Sequence, residues 1–504
     1  MNSSNLLARN ARKYPLTEAV VSMGKRTSFQ ELDLLVNTFS HALLNQGLQK
    51  GDRIVLFLPN VLEFIISYFA VQRIGAIVVP INAKFSLREV EFVMAHSEAR
   101  CIITHDLLFS NVASLTIDAV KIKTGSVATG WFSMEDLMQN ADNTAIPCHL
   151  SEDDVSTILY TSGTTGDPKG GLFSYRNILA VANMIAVEME VKPESRMLLM
   201  MPLSHSAPLH LFLMSAFVVG CTSVLTSTFT PDLLIDSVIN ERATHFFGAP
   251  VAYLATAQSP RLIEADLSSM KWWVYGGAPL SKNEIFMIAE KFKTNRLVSV
   301  YGLTEAGPSG SLLLPDEHPH KAGSIGCRAP LGTELRIVNE EGCDVPTGEI
   351  GEIVLYGEGN MQSYLKNEEA TAAAFVDGWL KTGDLARMDE EGYLWIVDRK
   401  KDVIISGGIT IYPKEIEEIL LHFNGIAEVA VIGIPHPEWG ETVKAVFSGP
   451  KDIDIEKLRA YLSENLASYK VPRIFEQIAS LPRNASGKIL KQQLKGGVLN
   501  ESIS

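Results

Sequence analysis

A buried-strand pattern at residues 155–160 runs directly into the ten-residue stretch Thr161-Ser162-Gly163-Thr164-Thr165-Gly166-Asp167-Pro168-Lys169-Gly170. A continuous apolar run of this length reads as a strand buried on both faces. The stretch after it reads as a loop of glycines and hydroxyl residues with one lysine. Glycines let backbone N–H groups approach an anion closely, hydroxyls add donors, and the lysine adds a positive charge. That is chemistry for a polyphosphate. The order differs from the common nucleotide loop, which ends in Gly-Lys-Ser/Thr; here Pro168 precedes the lysine and Gly170 follows it. A polar surface loop can share this composition, but the ordered run after a strand favours the phosphate reading.

The surrounding pattern is α/β. Ser28 and Glu31 form a capping-box signature, followed by Leu32, Leu35, Phe39 and Leu43 at helical spacing and a stop at Gly47. A strand at 54–58, a helix at 62–74 and a strand at 76–79 come next. This rhythm predicts parallel sheets with helices on their faces. Later strands are expected at 197–201, 244–247, 271–275 and 297–300, each ending in a polar or glycine-rich loop. Ligands of open α/β sheets gather at such strand ends. From about residue 334 the pattern shifts to short strands (334–338, 351–356, 393–397), which suggests a β subdomain. Beyond the charged segment 398–402, Pro413 opens a helix at 414–422, as proline prefers. Strands at 428–432 and 443–447 and a helix at 455–466 complete the pattern. The expected fold is α/β: a large N-terminal domain, 1–400, of parallel or mixed sheets with flanking helices plus a β subdomain, and a smaller mobile α+β C-terminal domain, 401–504.

Composition narrows the function. The chain has 504 residues, enough for a large core, and a net charge of −14, which argues against nucleic acid as a partner. Local basic clusters still suit anionic ligands: Arg399-Lys400-Lys401, and Lys488 with Lys491 and Lys495. Five scattered cysteines without paired spacing (Cys101, Cys148, Cys221, Cys327, Cys343) suggest a reducing, cytoplasmic setting, each as a small core residue. The N-terminus lacks a basic-then-apolar signal pattern. The longest apolar stretch, 211–225, is interrupted by Gly220, Thr222 and Ser223 and is short for a membrane span; it reads as a buried helix followed by a strand. No transmembrane segment is expected; peripheral membrane contact and a homodimer stay open.

The run 160–170 resembles the phosphate loop of the adenylate-forming superfamily, which contains acyl-CoA synthetases, adenylation domains and beetle luciferases. Other motifs of that family occur in order over nearly the whole chain. The resemblance implies ATP, Mg²⁺ and coenzyme A as cofactor or co-substrates and a small carboxylic acid as substrate. Thr161, Ser162, Gly163, Thr164, Thr165, Gly166 and Lys169 would hold phosphates. In Tyr301-Gly302-Leu303-Thr304-Glu305, Tyr301 would stack on adenine, Thr304 bind the α-phosphate and Glu305 hold Mg²⁺. Gly276, Gly277 and Ala278 would lie against adenine and the acyl group, with Gly302 beside them. Asp384 would take the ribose hydroxyls, with Arg399 near ribose and phosphate. Lys488, in Ser486-Gly487-Lys488, would contact the carboxylate and α-phosphate, carried in by a domain that pivots at Lys401. Rotation would bring Ser406, Gly407 and Gly408 to line a pantetheine tunnel, with Trp439 and Lys470 as coenzyme A contacts. His205 would sit beside the acyl carboxylate, and Phe247, Gly248, Gly277 and Gly302 would line the acyl pocket. Lys488, Glu305, Thr304, Thr161 and His205 form the expected catalytic set.

Each motif has a blander reading: a solvated glutamate, a turn aspartate, a charge run facing water, a structural histidine. Their combination in family order is what favours function. Departures from the pattern are Gly171, Tyr175, Ser204, the Ser206-Ala207-Pro208 run, Ser363, Asn484 and Lys491. Those around His205 bear on acyl specificity. The expected function is an ATP-dependent carboxylate–CoA ligase of fatty-acid and lipid metabolism, acting on a fatty or otherwise apolar acid. One alternative loads the acyl group onto a carrier-protein thiol; a luciferase-like oxidation is more distant. A non-enzymatic nucleotide- or acyl-binding module would be expected to lose Lys488, Glu305 or Asp384, and the chain keeps all three.

Overall fold

The computed structural model describes residues 4–147, 149–161, 168–449, 453–483 and 489–495. The chain divides into two compact units: Met1–Leu335 with Val354–Lys381, and Arg336–Ile353 with Thr382–Ser504.

The first unit is built on two mixed eight-stranded sheets. In one, strands Glu18–Ser22, Thr222–Leu225, Arg196–Leu199, His245–Gly248, Trp272–Gly276 and Leu297–Tyr301 lie side by side and parallel. Antiparallel strands Lys25–Ser28 and Ser311–Leu313 close its two edges. In the other, Val155–Thr161, Ile77–Pro80, Arg53–Phe57, Cys101–His105, Val120–Thr124 and Phe132–Ser133 are parallel in that order. Two antiparallel strands, Lys169–Ser174 and then Ser363–Tyr364, extend it beyond Val155–Thr161. The βαβ expectation therefore holds at the centre of each sheet.

Local sequence explains the helices. Ser28 and Glu31 form the expected capping box on helix Phe29–Asn45, which buries Leu32, Val36, Phe39 and Leu43. The stripe runs through Val36 rather than Leu35. Ser86 with Glu89 and Ser281 with Glu284 repeat the device, satisfying N-terminal N–H groups that a helix leaves without internal partners. One buried apolar cluster holds Trp273, which packs edge-on against Phe246, Tyr253 and Phe292. The stretch expected as helix then strand starts earlier, with a π-helix, Ala207–Leu213, then helix Met214–Val219 and strand Thr222–Leu225. Among the described residues no helix is long and apolar enough to cross a membrane.

The second unit holds a five-stranded sheet in the order Ile409–Ile411, Ile404–Ser406, Gly440–Ser448, Glu428–His436, with Ile474–Gln477 parallel to Gly440–Ser448. Helices Pro413–Leu421 and Ile455–Asn465 bury Ile416, Leu420, Leu458 and Leu462 in one cluster with this sheet. Lys491 of the last described helix pairs with Glu417 at 2.7 Å, and Arg483 pairs with Glu428.

The cysteine expectation needs correcting. Cys101 and Cys221 are buried, and burial pushes the Cys221 thiol up to about 12, but Cys327 and Cys343 are exposed. Both exposed cysteines lie in turn-rich connections, where apolar periodicity gives no guide to burial. Cys148 lies outside the described residues.

Two buried histidines tie stability to pH. Burial lowers His210 to about 3 and His245 to about 4. The folded state therefore binds fewer protons than the unfolded chain, in which histidine titrates near 6.5. Stability is fully present above that value and is lost as pH falls from about 6.5 toward 3. Thermal unfolding midpoints measured from pH 7 to 4 should fall, and His210→Leu should flatten that dependence.

Candidate active site

Three parallel neighbours carry the loops of interest. Gly248 pairs with Tyr275, and Gly276 with Val300, so strands His245–Gly248, Trp272–Gly276 and Leu297–Tyr301 end together. Loops leaving the same carboxyl edge converge, which is where α/β sheets place ligands. The loops holding Gly276-Gly277-Ala278 and Tyr301–Glu305 leave from that edge.

The glycines there do different jobs. A Cβ on Gly276 would lie 2.5 Å from the Val300 carbonyl oxygen, and one on Gly302 would lie 2.0 Å from that of Pro308. Neighbouring backbone thus forbids any side chain at either position. Gly277 faces open space but has φ +81°, which favours glycine. At Gly248, a Cβ would meet the rings of Phe246 and Tyr253 at 2.8 and 3.2 Å. Of the expected pocket glycines, only Gly277 leaves room beside itself.

The second sheet supplies the phosphate-loop stems. Thr161 pairs with Lys169, and Tyr160 with Gly170, across an antiparallel ladder. Ser162, Gly163, Thr164, Thr165 and Gly166 lie outside the described residues, as does Lys488. The stems nonetheless reach the other sheet's loop. The Thr161 hydroxyl donates to Glu305 Oε1 at 3.3 Å, and the Tyr364 hydroxyl donates to the same oxygen at 2.9 Å. Lys169 Nζ lies 5.4 Å from the centre of the Tyr364 ring, within cation–π range. Two of the sequence motifs, one opening on Thr161 and one closing on Glu305, therefore meet.

This donor set fits Mg²⁺, which takes hard oxygen ligands and is usually held by one or two carboxylates with substrate phosphates. Among the described residues no group of three or more His, Cys, Asp or Glu side chains could enclose a metal. A cation at Glu305 would therefore need further oxygen ligands from a phosphate.

His205 has a partner that sequence reading did not find. Asn82 Oδ1 accepts the Lys84 backbone N–H at 2.9 Å, which turns Nδ2 toward His205 Nε2 at 3.0 Å. The amide therefore donates and Nε2 accepts, leaving the proton on Nδ1. Burial, then the nearby Lys84 charge, lowers the His205 pKa and keeps the ring neutral. Beside it, the Ser206 hydroxyl donates to Thr304 Oγ1 at 3.3 Å. Phe247 stacks on Phe212 of the π-helix at 5.2 Å.

In the second unit, Asp384 and Arg399 face each other across paired strands and form a 2.6 Å ion pair. Asp384 belongs to a long strand, Trp379–Met388, rather than to a turn. Lys401 lies in a single 3₁₀ turn, Lys400–Asp402, and is exposed. Gly407 and Gly408 are the tip of a hairpin between Ile404–Ser406 and Ile409–Ile411, both with positive φ (56° and 79°). A two-residue turn of that kind selects glycine by itself. Trp439 stacks on His436 at 4.1 Å, and the Arg473 guanidinium lies 3.3 Å from its ring centre. Both groups cannot occupy one face at those distances, so the indole is sandwiched. Lys470 Nζ is bound to both oxygens of Glu415, at 2.6 and 2.7 Å.

Tyr364 and Asn82 were missed, and Ser206 was noted only as a departure from the family pattern, because each acts through a partner remote in sequence. No local pattern marks a tyrosine whose contact lies 59 residues away.

Comparison with known proteins now fits this geometry. Residues 7–365 match the family described as AMP-binding enzyme, and residues 415–488 match the AMP-binding enzyme C-terminal domain. The chain belongs to the AMP-binding enzyme family. It is an AMP-forming acid–thiol ligase of the adenylate-forming superfamily. It is 36% identical to a feruloyl-CoA synthase from an Amycolatopsis species, covering 97% of each chain. It is 33% identical to the long-chain-fatty-acid–CoA ligase FadD13 of Mycobacterium tuberculosis, again covering 97% of each. Among solved structures, the o-succinylbenzoate CoA synthetase of Bacillus subtilis in complex with ATP and magnesium ion superposes with a TM-score of 0.87 at 29% identity, over 97% of this chain and 99% of that one.

The two glycines of the Gly276-Gly277 turn should respond unequally to substitution. Gly277→Ala adds only left-handed strain, about 1–2 kcal/mol. Gly276→Ala must push strand backbone apart. Paired thermal melts should show the larger loss for Gly276→Ala.

Proposed function

We propose that this chain joins a fatty or otherwise apolar carboxylic acid to coenzyme A, using ATP and Mg²⁺ and releasing AMP and pyrophosphate. The observation that carries this reading is the meeting of Thr161 and Glu305 at 3.3 Å, with Lys169 and Tyr364 beside them. A phosphate-loop stem and a hard-cation ligand from two sheets converge there. The stacked pair Phe212–Phe247 supports an apolar acyl wall. Relatives named for ferulate and for long-chain fatty acids both match over nearly the full chain, which supports an acid with an extended apolar part.

In the first half-reaction the substrate carboxylate oxygen forms a bond to the α-phosphorus of ATP and pyrophosphate leaves with the electron pair of the broken P–O bond. Two anions must approach, so the site has to offset their repulsion. When bound, Mg²⁺ neutralises phosphate charge. Lys169 and Thr161, with the loop between them, bind the phosphates, and Thr304 binds the α-phosphate. Glu305 offers the cation a carboxylate oxygen. Tyr301 and the Gly276–Ala278 turn hold adenine, Asp384 the ribose and Arg399 the nearby phosphate. Neutral His205 donates from Nδ1 beside the acyl carboxylate. Lys488 bridges carboxylate and α-phosphate as a point charge. In the second half-reaction the thiol sulfur bonds to the acyl carbon, AMP leaves, and the thiol proton is released.

The two steps require different residues, and a pivot at Lys401 would exchange them, replacing Lys488 with the Ser406-Gly407-Gly408 hairpin. Trp439 would meet the nucleotide end of coenzyme A only after His436 or Arg473 leaves its face, and Lys470 only in competition with Glu415. The setting proposed is cytoplasmic, in keeping with five cysteines scattered along the chain without paired spacing.

Offering the purified protein ATP, Mg²⁺ and a panel of acids tests the whole reading. Labelled pyrophosphate should exchange into ATP with apolar acids, and coenzyme A should then yield their thioesters; no exchange with any acid would sink it. Lys488→Ala should lower adenylation on the order of 10²–10³, while thioester formation from supplied acyl adenylate survives. Lys401→Pro should do the reverse, keeping adenylation and losing thioesterification. Equal loss of both steps in either variant would reject the assigned role.

A further inference from the structure

Glu305 is held by more than its own loop. Its backbone carbonyl accepts the Met361 N–H at 2.8 Å, and its carboxylate accepts the Tyr364 hydroxyl at 2.9 Å. Segment 361–364 thus grips the glutamate at both ends. Tyr364 is in turn fixed at three points. It pairs with Gly171 on the strand that returns from the phosphate loop, the following Leu365 N–H donates to the Gly170 carbonyl at 2.7 Å, and its own N–H donates to Thr371 Oγ1 at 2.9 Å. Its ring lies under the Lys169 ammonium. One side chain therefore touches the lysine through its face and the glutamate through its hydroxyl.

The choice of oxygen matters. Thr161 and Tyr364 both donate to Oε1, and among the described residues no donor reaches Oε2. A carboxylate with one oxygen taken by two hydroxyls is fixed in rotation and presents the other oxygen. Outer partners of this kind orient a ligand and raise its fitness for a cation.

We propose that Tyr364 is a positioning residue for adenylation: its hydroxyl aims the free oxygen of Glu305 at the cation while its ring seats Lys169 against the phosphates. Tyr364 has this role only if Glu305 holds the cation, as proposed above. The hydroxyl and the ring make separable contributions. Tyr364→Phe removes the first and keeps the second; Tyr364→Leu removes both.

The test is Mn²⁺ binding in the presence of ATP, followed by electron paramagnetic resonance, alongside the KM for ATP in pyrophosphate exchange. Tyr364→Phe should weaken Mn²⁺ binding about 10- to 100-fold, with the ATP KM at fixed saturating metal little changed. Tyr364→Leu should raise that KM as well. Glu305→Gln should lose the same Mn²⁺ binding, and adding Tyr364→Phe to it should bring no further loss. Wild-type Mn²⁺ affinity in Tyr364→Phe, or additive losses in the double variant, would overturn the positioning role while leaving the cation site intact. Unchanged Mn²⁺ binding in Glu305→Gln would instead overturn the cation site itself. Because Tyr364→Phe retains the ring, a thermal melt matching that of the parent protein separates these outcomes from misfolding, and a variant that melts early is judged by the double-variant comparison in the Glu305→Gln background.

Discussion

The candidate site depends on one ladder. Strand Lys169–Ser174 runs back antiparallel along Val155–Thr161, with Thr161 opposite Lys169. That pairing holds both ends of a glycine- and hydroxyl-rich segment that has little apolar content to anchor it. It also sets Lys169 and Thr161 on neighbouring strands and offers a free edge to Ser363–Tyr364. Through that edge strand, Tyr364 reaches Glu305, which belongs to the loop after a strand of the other sheet. Two sheets that share no strand are thereby joined at a point where charge must be placed accurately. Hydrogen bonds of about 3 Å between rigid elements are suited to that, since sites on strands and their immediate ends hold geometry better than long loops.

Much of this was legible from residues alone, for identifiable reasons. The parallel strands announce themselves as apolar runs ending in glycine or polar residues, because both faces of such strands are buried. Capping boxes are local, and Ser28 with Glu31 could be read from four adjacent positions. The ordered phosphate-loop stretch is also local. What could not be read is whatever depends on a partner across the fold. The return strand Lys169–Ser174 contains Gly170 and Gly171, which weaken any strand signal. Its glycines make sense only beside Ile158 and Tyr160, 2.9 and 3.2 Å from a Cβ at Gly170, and Met361, 3.3 Å from one at Gly171. Tyr364 and Asn82 were silent for the same reason. Gly276 and Gly302 were read as space for a ligand, whereas the backbone of Val300 and Pro308 already accounts for them.

Function and packing are therefore not alternatives at these positions. A glycine required by neighbouring backbone also leaves a smooth surface at the strand end, and a hairpin that needs two positive φ angles also presents a narrow tip at Gly407-Gly408. Sequence reading credits such residues to the ligand because the ligand is the easier explanation to imagine. The structure shows that the fold would demand glycine at Gly276 with no ligand at all. The residues that packing does not explain carry more functional information: Lys169 and Glu305 are charged groups at or near strand ends, and Asp384 is a buried carboxylate inside a strand, and charge is rarely placed in such positions without a partner.

The second unit follows the same logic with charge in place of glycine. Helix Lys491–Lys495, which follows Lys488 closely, is tied to helix Pro413–Leu421 by the Lys491–Glu417 pair, and Glu417 also accepts the Val431 N–H at 2.7 Å. On the other side of the Lys488 segment, Arg483 is tied to Glu428 and bridges to Ile489. Residues 483 and 489 are thus fastened to the same strand and helix pair. Lysine at position 491, a departure from the family pattern, keeps the charge that this fastening uses but gives up the planar fork of arginine, which would allow two parallel bonds to a carboxylate. A single ammonium–carboxylate contact supplies less directional restraint than a fork. The guanidinium of Arg483, paired with Glu428, supplies the more directional of the two ties.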